Sequence, residues 1–177
     1  VVNGEKIWIS VAQVANKMML LARTTPLEEV KRKTDGLTLF FTDLDRAKIE
    51  VRLIHKMGRH AVDSNMLFIS DLWIPEEDRI GAEGDGFKTI IHGFNPERIL
   101  IGSEAIGLGR VAIARAARYA RERIVFDRPI GMNQGIQHPL AKCWAQVEAA
   151  NLMVMKAAAL FDAGQECGVE ANAGKYL

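Results

Sequence analysis

A tryptophan and a serine stand two residues apart in the apolar run Lys6-Ile7-Trp8-Ile9-Ser10. If that run is a strand, side chains two apart share a face, so Trp8 and Ser10 point the same way. An indole can stack on a planar ring while a hydroxyl beside it hydrogen-bonds the ring's edge. The plainer alternative makes Trp8 a core residue and Ser10 an edge polar group. A second group runs from Arg123 to Gln134, RIVFDRPIGMNQ. Arginine suits bidentate phosphate recognition, and a carboxylate at a helix end is the competing partner for Arg123. The third is Asn95-Pro96-Glu97-Arg98, expected at or near the start of a long helix, where a carboxylate is favoured by the positive helix end. Glu97 is then a capping or ion-pairing residue, or a catalytic base if burial raises its pKa towards the working pH.

Other motifs are weaker. Gly84-Asp85-Gly86 matches neither a dinucleotide fingerprint nor a P-loop. His55, His60, His92 and His138 lack the spacing of paired metal ligands. Ser64 and Ser103 sit in no nucleophile-elbow context. Arg110, Arg115, Arg118 and Arg121 share one helical arc. A solvated face explains them better than nucleic-acid contact, because Tyr119 is the only aromatic among them. The net charge of +1 gives no general affinity for polyanions.

The elements that must position these residues change character near residue 80. Segments 6–10, 18–23, 38–42, 49–53 and 66–73 read as strands, rich in Val, Ile, Leu, Phe and Thr. Asn3-Gly4, Thr34-Asp35-Gly36, Met57-Gly58 and Pro75 punctuate them. Short strands with regular turns imply an antiparallel barrel or sandwich. From Phe87 onward the apolar period is helical, with Ile99, Ile106, Ile113 and Ala120 on one broad arc. This helix is expected to end near Arg123. A second is expected over 138–163, with Pro139 in its first turn and Gly164 as its cap. A third begins near Val169. The fold class is therefore α+β: a β-domain over 1–80 and a helical bundle over 81–177, joined by the acidic, Gly-containing segment 75–86.

At 49% hydrophobic and 25% charged residues, the composition is that of a globular chain. No apolar run approaches the ~20 residues that span a bilayer. Cys143 and Cys167 are too few for a disulfide scaffold. The chain opens on Val1 and stops at Lys175-Tyr176-Leu177 inside an Ala-rich pattern, so it is expected to be an internal piece of a longer protein.

Taken together, the sequence resembles the acyl-CoA dehydrogenase family. The resemblance rests on Val2 through Ser10, His55-Lys56-Met57-Gly58, Ile80 through Phe87, Glu97-Arg98, and Arg123 through Gln134, which occur in the family's order and spacing. It implies most of a middle β-domain followed by the first helices of a C-terminal helical domain. It also implies FAD as cofactor, an acyl-CoA thioester as substrate, a homodimer or homotetramer, and an acceptor such as an electron-transfer flavoprotein. Trp8 is similar to the tryptophan packed against the flavin, and Ser10 to the hydroxyl residue near flavin N5. Arg123 resembles the arginine that reaches the FAD pyrophosphate of a neighbouring subunit. Phe126 and Gln134 resemble residues flanking the adenine half, and Phe94 and Arg98 those beside the acyl-CoA. Glu97 matches the helix position of the catalytic glutamate in isovaleryl and long-chain members; most members carry it on a later loop. The implied compartment is the cytoplasm in a bacterium, or the mitochondrial matrix or peroxisome in a eukaryote.

Two departures stand out. Val11-Ala12-Gln13 replaces the Asn and small residues that usually follow the Trp-Ile-Ser/Thr motif, which puts the local loop conformation in question. Asp127 replaces the usual Gly after Phe126, and a carboxylate near a pyrophosphate is unfavourable unless Arg123 or Arg128 neutralises it. Two other functions fit the same residues: oxidase chemistry on this flavoprotein fold, and nucleic-acid binding through Arg110, Arg115, Arg118 and Arg121. The 177-residue piece by itself is expected to be inactive.

Overall fold

The computed structural model of the chain describes all residues from Val1 to Leu177. They form two compact units, Val1–Ile91 and His92–Leu177. The fold is α+β, with antiparallel sheets followed by helices.

The first unit holds strands β1 (Val2–Ser10), β2 (Lys17–Arg23), β3 (Leu37–Asp43), β4 (Ile49–Leu53), β5 (Ser64–Leu72) and β6 (Arg79–Ile80). One antiparallel sheet has the order β1-β5-β4 and the other β2-β3-β6. Neither sheet closes on itself or pairs with the other, so the arrangement is an open sandwich and not a closed barrel. Alternation drives it: Met18 and Leu20 on β2, and Leu67 and Ile69 on β5, are buried at every second position. They pack with Ala12, Leu44, Ile49 and Leu72 into one core. Burying an aliphatic side chain of this size contributes ~2 kcal/mol.

Three helices follow: α1 (Gly86–Glu122), α2 (Gln134–Asp162) and α3 (Gly168–Tyr176). The start of α1 belongs to the β unit. A Cβ at Gly86 would lie 2.4 Å from the Leu39 nitrogen, so only glycine fits there. In the helical unit, Ile106 of α1 packs against Ala150 and Val154 of α2. Close approach of the helices depends on Gly102, Gly109 and Gly174, whose missing side chains leave room for Val147 and Val154. Arg110 spans to α2, with Nε and Nη2 each 3.0 Å from a different oxygen of Glu148. Arg110 stays about half exposed in this pair, so it remains on a solvated face. Lys156 and Glu170 join α2 to α3 at 3.0 Å, and that ammonium holds the Glu170 carboxyl below the usual range.

Two helix boundaries differ from the sequence reading. α2 starts at Gln134 and not near residue 138, so Pro139 is its sixth residue and lies beyond the first turn. Asn133 is the N-cap, and its carbonyl accepts the N–H groups of Ile136 (2.9 Å) and Gln137 (3.1 Å). Likewise, Asn95-Pro96-Glu97-Arg98 is not at the start of α1: the helix begins at Gly86 and runs through Pro96. A proline lacks the N–H that would bond four residues back. The carbonyls left without it belong to Gly135 and His92, both on exposed residues that water can reach. The end of α2 is as expected: Gly164 adopts φ +67° and its N–H bonds Phe161. No helix is long and apolar enough to cross a membrane.

Candidate functional site

Trp8 and Ser10 occupy the far end of β1, beyond a break in its alternation. Lys6 pairs with Leu67 and Ile9 with Asn65 across the β1–β5 ladder. Two residues, Ile7 and Trp8, therefore stand opposite the single Met66, which makes a β-bulge. Both bulged residues are exposed, and Trp8 has φ +62° with 64% of its surface open. Trp8 and Ser10 do share a face, as strand period leads one to expect: both are exposed with Ile9 turned to the core between them, and the bulge before them makes that face the outer one. Trp8 stands outside the core of the β unit.

The segment after Ser10 is tied down. Val11 also has positive φ, +63°. Gln13 donates its amide to Asn65 Oδ1 at 2.7 Å and its N–H to Asp63 Oδ2 at 3.2 Å. The Asn65 amide donates to Ile9 O at 3.0 Å and also to the Asp63 carboxylate. Arg46 Nη2 caps the carbonyls of Ala12 (2.7 Å) and Ala15 (3.0 Å). Donation by Asn65, backbone N–H groups and the nearby Lys56 charge hold the Asp63 carboxyl below its ordinary range, against a smaller opposing effect of burial. Gln13, a departure from the usual motif, is thus a working member of the loop. Below the bulge, Lys6 donates to Leu21 O at 2.7 Å, and burial lowers its pKa.

In the helical unit Phe94, Glu97 and Arg98 come together. They line a cleft of about 280 Å³ with Ile101 and with Lys175 of α3. The Arg98 guanidinium stands 5.6 Å over the Phe94 ring and donates to Asn95 Oδ1 at 3.1 Å. Glu97 is exposed and makes no ion pair. The cleft therefore offers an unengaged carboxylate among an aromatic ring, an aliphatic side chain and two cations. Lys175 was not singled out from the sequence, since only the packing of α3 on α2 brings it to α1.

Arg123 follows the end of α1, its N–H bonded to Tyr119 O at 2.8 Å. Strands β7 (Ile124–Val125) and β8 (Arg128–Pro129) then make a hairpin with the two-residue turn Phe126-Asp127. Both turn residues have positive φ, +51° and +62°, as a type I′ turn demands and as Asn-Gly usually supplies. The strained turn displays Phe126, which is 94% exposed. Asp127 is neutralised by neither arginine: Arg128 bonds Asn133 Oδ1 at 2.7 Å, and the Arg123 side chain makes no hydrogen bond or ion pair. Gln134 is exposed at the first position of α2, so Arg123, Phe126 and Gln134 flank one hairpin. Within each unit taken by itself an exposed aromatic on positive-φ backbone, Trp8 in one and Phe126 in the other, stands near a polar side chain, a pairing that can meet a planar ring or a phosphate.

Comparisons with known proteins also divide the chain in two, between residues 72 and 84. The family model for the acyl-CoA dehydrogenase middle domain matches residues 1–72, and that for the C-terminal domain matches 84–177. The acyl-CoA dehydrogenase FadE12 of Mycobacterium tuberculosis is 35% identical over 99% of this chain and 45% of its own length. Butyryl-CoA dehydrogenase from Megasphaera elsdenii superposes with a TM-score of 0.85 at 29% identity, over 97% of this chain and 44% of that one. The prolyl acyl carrier protein oxidase AnaB gives a TM-score of 0.88 at 25% identity, over 97% and 45%. The chain spans under half the length of these relatives.

Proposed function

Since the chain belongs to the acyl-CoA dehydrogenase family, we propose that its protein carries out FAD-dependent α,β-dehydrogenation of an acyl-CoA thioester. The observation that carries this reading is the cleft of Phe94, Glu97, Arg98, Ile101 and Lys175, which sets one unengaged carboxylate beside the apolar side chains of Phe94 and Ile101. Residues 1–80 serve as the middle domain and residues 81–177 as part of the C-terminal domain. Family membership and the exposed Trp8 and Phe126 support FAD as the cofactor. When bound, it supplies the acceptor for the hydride leaving the β-carbon.

Each residue has a distinct task in this reading. Glu97 takes the proton from the α-carbon. A carboxylate is a weak base, so the site must polarise the thioester carbonyl for the transfer to proceed. Phe94 offers its ring to the acyl chain, and Arg98 is held over that ring to meet the anionic thioester carrier. Trp8 stacks on the flavin ring and Ser10 bonds its edge. Arg123 offers its guanidinium to the pyrophosphate of a second copy's cofactor, which makes a homodimer or homotetramer part of cofactor binding. Phe126 and Gln134 flank the adenine half. The electrons pass on to an acceptor such as an electron-transfer flavoprotein.

Oxidase chemistry is the second reading, favoured by the likeness to AnaB. One experiment separates the two. The whole protein is purified, and straight-chain and branched acyl-CoAs are added without oxygen while the visible flavin band is recorded. Dehydrogenation predicts bleaching by one class and slow recovery in air. Rapid recovery in air selects the oxidase. A flavin that no acyl-CoA bleaches contradicts both.

A further inference from the structure

We infer that Asn65 is a positioning residue for the outer end of β1, a role that rests on the reading of Trp8 and Ser10 as flavin contacts. The alternation of β5 puts residue 65 in line with Leu67 and Ile69, facing the core. An apolar side chain is expected there, yet the site holds a fully buried amide. A buried amide is costly unless its hydrogen bonds are made; two of the three made here reach the segment beside Trp8, and the third goes to Asp63. Nδ2 donates to Ile9 O, one peptide after Trp8. Oδ1 accepts from Gln13. Asp63, which also receives an Asn65 N–H, accepts the Gln13 N–H through its carboxylate and the Val11 N–H through its carbonyl at 3.3 Å. Arg46 grips the same loop through Ala12 and Ala15.

The need for such a clamp lies in the backbone. Trp8 and Val11 both sit at positive φ, which costs a non-glycine residue on the order of 1–2 kcal/mol. The bulge at Ile7-Trp8 leaves the ladder short of a paired residue just before this stretch. Without outside bonds the strand gains by slipping to regular alternation, and a one-residue slip turns Trp8 to the other face. Asn65 opposes that slip at Ile9 and, through Gln13, at the loop. It does so without touching a cofactor, so it acts through the placement of Trp8 and Ser10.

The test uses the whole protein with Trp73, Trp144 and every tryptophan outside these 177 residues changed to Phe, so that Trp8 is the one tryptophan left to fluoresce. Two variants are made in this background, Asn65→Ala and Gln13→Ala. Gln13 is exposed, so its variant keeps the test valid even if Asn65→Ala fails to fold. In the flavin-free form, Gln13→Ala is expected to lower the emission anisotropy of Trp8 together with a modest fall in the melting midpoint, since Asn65 Oδ1 loses its partner. A purely structural residue would move the midpoint and leave Trp8 alone. In the same variant the FAD dissociation constant is expected to rise about tenfold, the effect of one lost hydrogen bond to a buried partner. Unchanged anisotropy overturns the positioning role, whatever happens to FAD. Lower anisotropy with unchanged FAD affinity, also unchanged in Trp8→Phe, overturns instead the flavin reading on which the role rests.

Discussion

In the β unit, Leu20, Leu39, Ile49, Leu67 and Ile69 are each no more than 4% exposed; in the helical unit, Leu100, Leu108 and Leu152 are 66–71% exposed. The residue types are alike and the outcomes opposite. Two sheets cover each other's inner faces, and one period-2 stripe per strand is enough to fill the space between them. The helices carry apolar residues on more than one face. Such helices need neighbours on more than one side, and the nine-residue α3 covers only part of α1 and α2. The β unit therefore has a filled core between its sheets, and its exposed apolar side chains, among them Met19, Phe41 and the strained Trp8, lie on the outside. The helical unit presents Glu97 on a scaffold whose remaining apolar faces call for further protein surface, in keeping with a chain that spans under half the length of its relatives.

The sharpest way to break this contrast is to truncate the same residue type in each unit. In the 177-residue chain, Leu67→Ala should cost ~3 kcal/mol by denaturant unfolding, and Leu108→Ala less than about 0.5 kcal/mol. Equal losses would mean that Leu108 is buried in solution and that the helical unit is already complete. The turn at Phe126-Asp127 offers a smaller and opposite effect. Asp127→Gly removes a side chain from a position with φ +62° and should stabilise the chain by about 1 kcal/mol. Because the exchange also removes an unpaired carboxylate beside Arg123, FAD affinity should rise with it; a fall in both would show that Asp127 has a partner in the working protein.

The smallest effect is on pH. The Asp63 carboxyl has a folded pKa below its unfolded one, chiefly through the Asn65 amide. Its contribution is thus complete above the unfolded value of about 4 and is lost as pH falls through the folded value. Melting curves of the wild type should fall off more steeply than those of Asp63→Asn in that acid window, and run parallel to them above it. Parallel curves throughout would remove Asp63 from the clamp.

The sheets were the most legible part of the sequence. β4 matches the expected 49–53 residue for residue, because alternation, β-branched residues and flanking turns all agree there. Helix starts were less legible. Pro139 suggested a first turn, but an exposed helix accepts proline at its sixth position when water serves the orphaned carbonyl of Gly135. The same holds for Pro96, which moved Glu97 from an expected helix start to a helix interior. The candidate site was legible by residue type but not by geometry. Nothing in Lys6-Ile7-Trp8-Ile9-Ser10 announces a bulge, since only pairing with Met66 makes Ile7 and Trp8 both face outward. Asn65 and Lys175 were missed for a related reason: each acquires its role from an element distant in sequence.

The division of labour between the two units can be tested on Glu97 directly. The whole protein and its Glu97→Gln variant are purified without added flavin, and the visible spectrum is followed as the acyl-CoA that bleaches the wild type is added without oxygen. The account predicts that Glu97→Gln carries as much flavin as the wild type, because its flavin contacts are elsewhere, and that bleaching slows by a factor of ~10³ or more. Bleaching at the wild-type rate would contradict the account by removing Glu97 as the base.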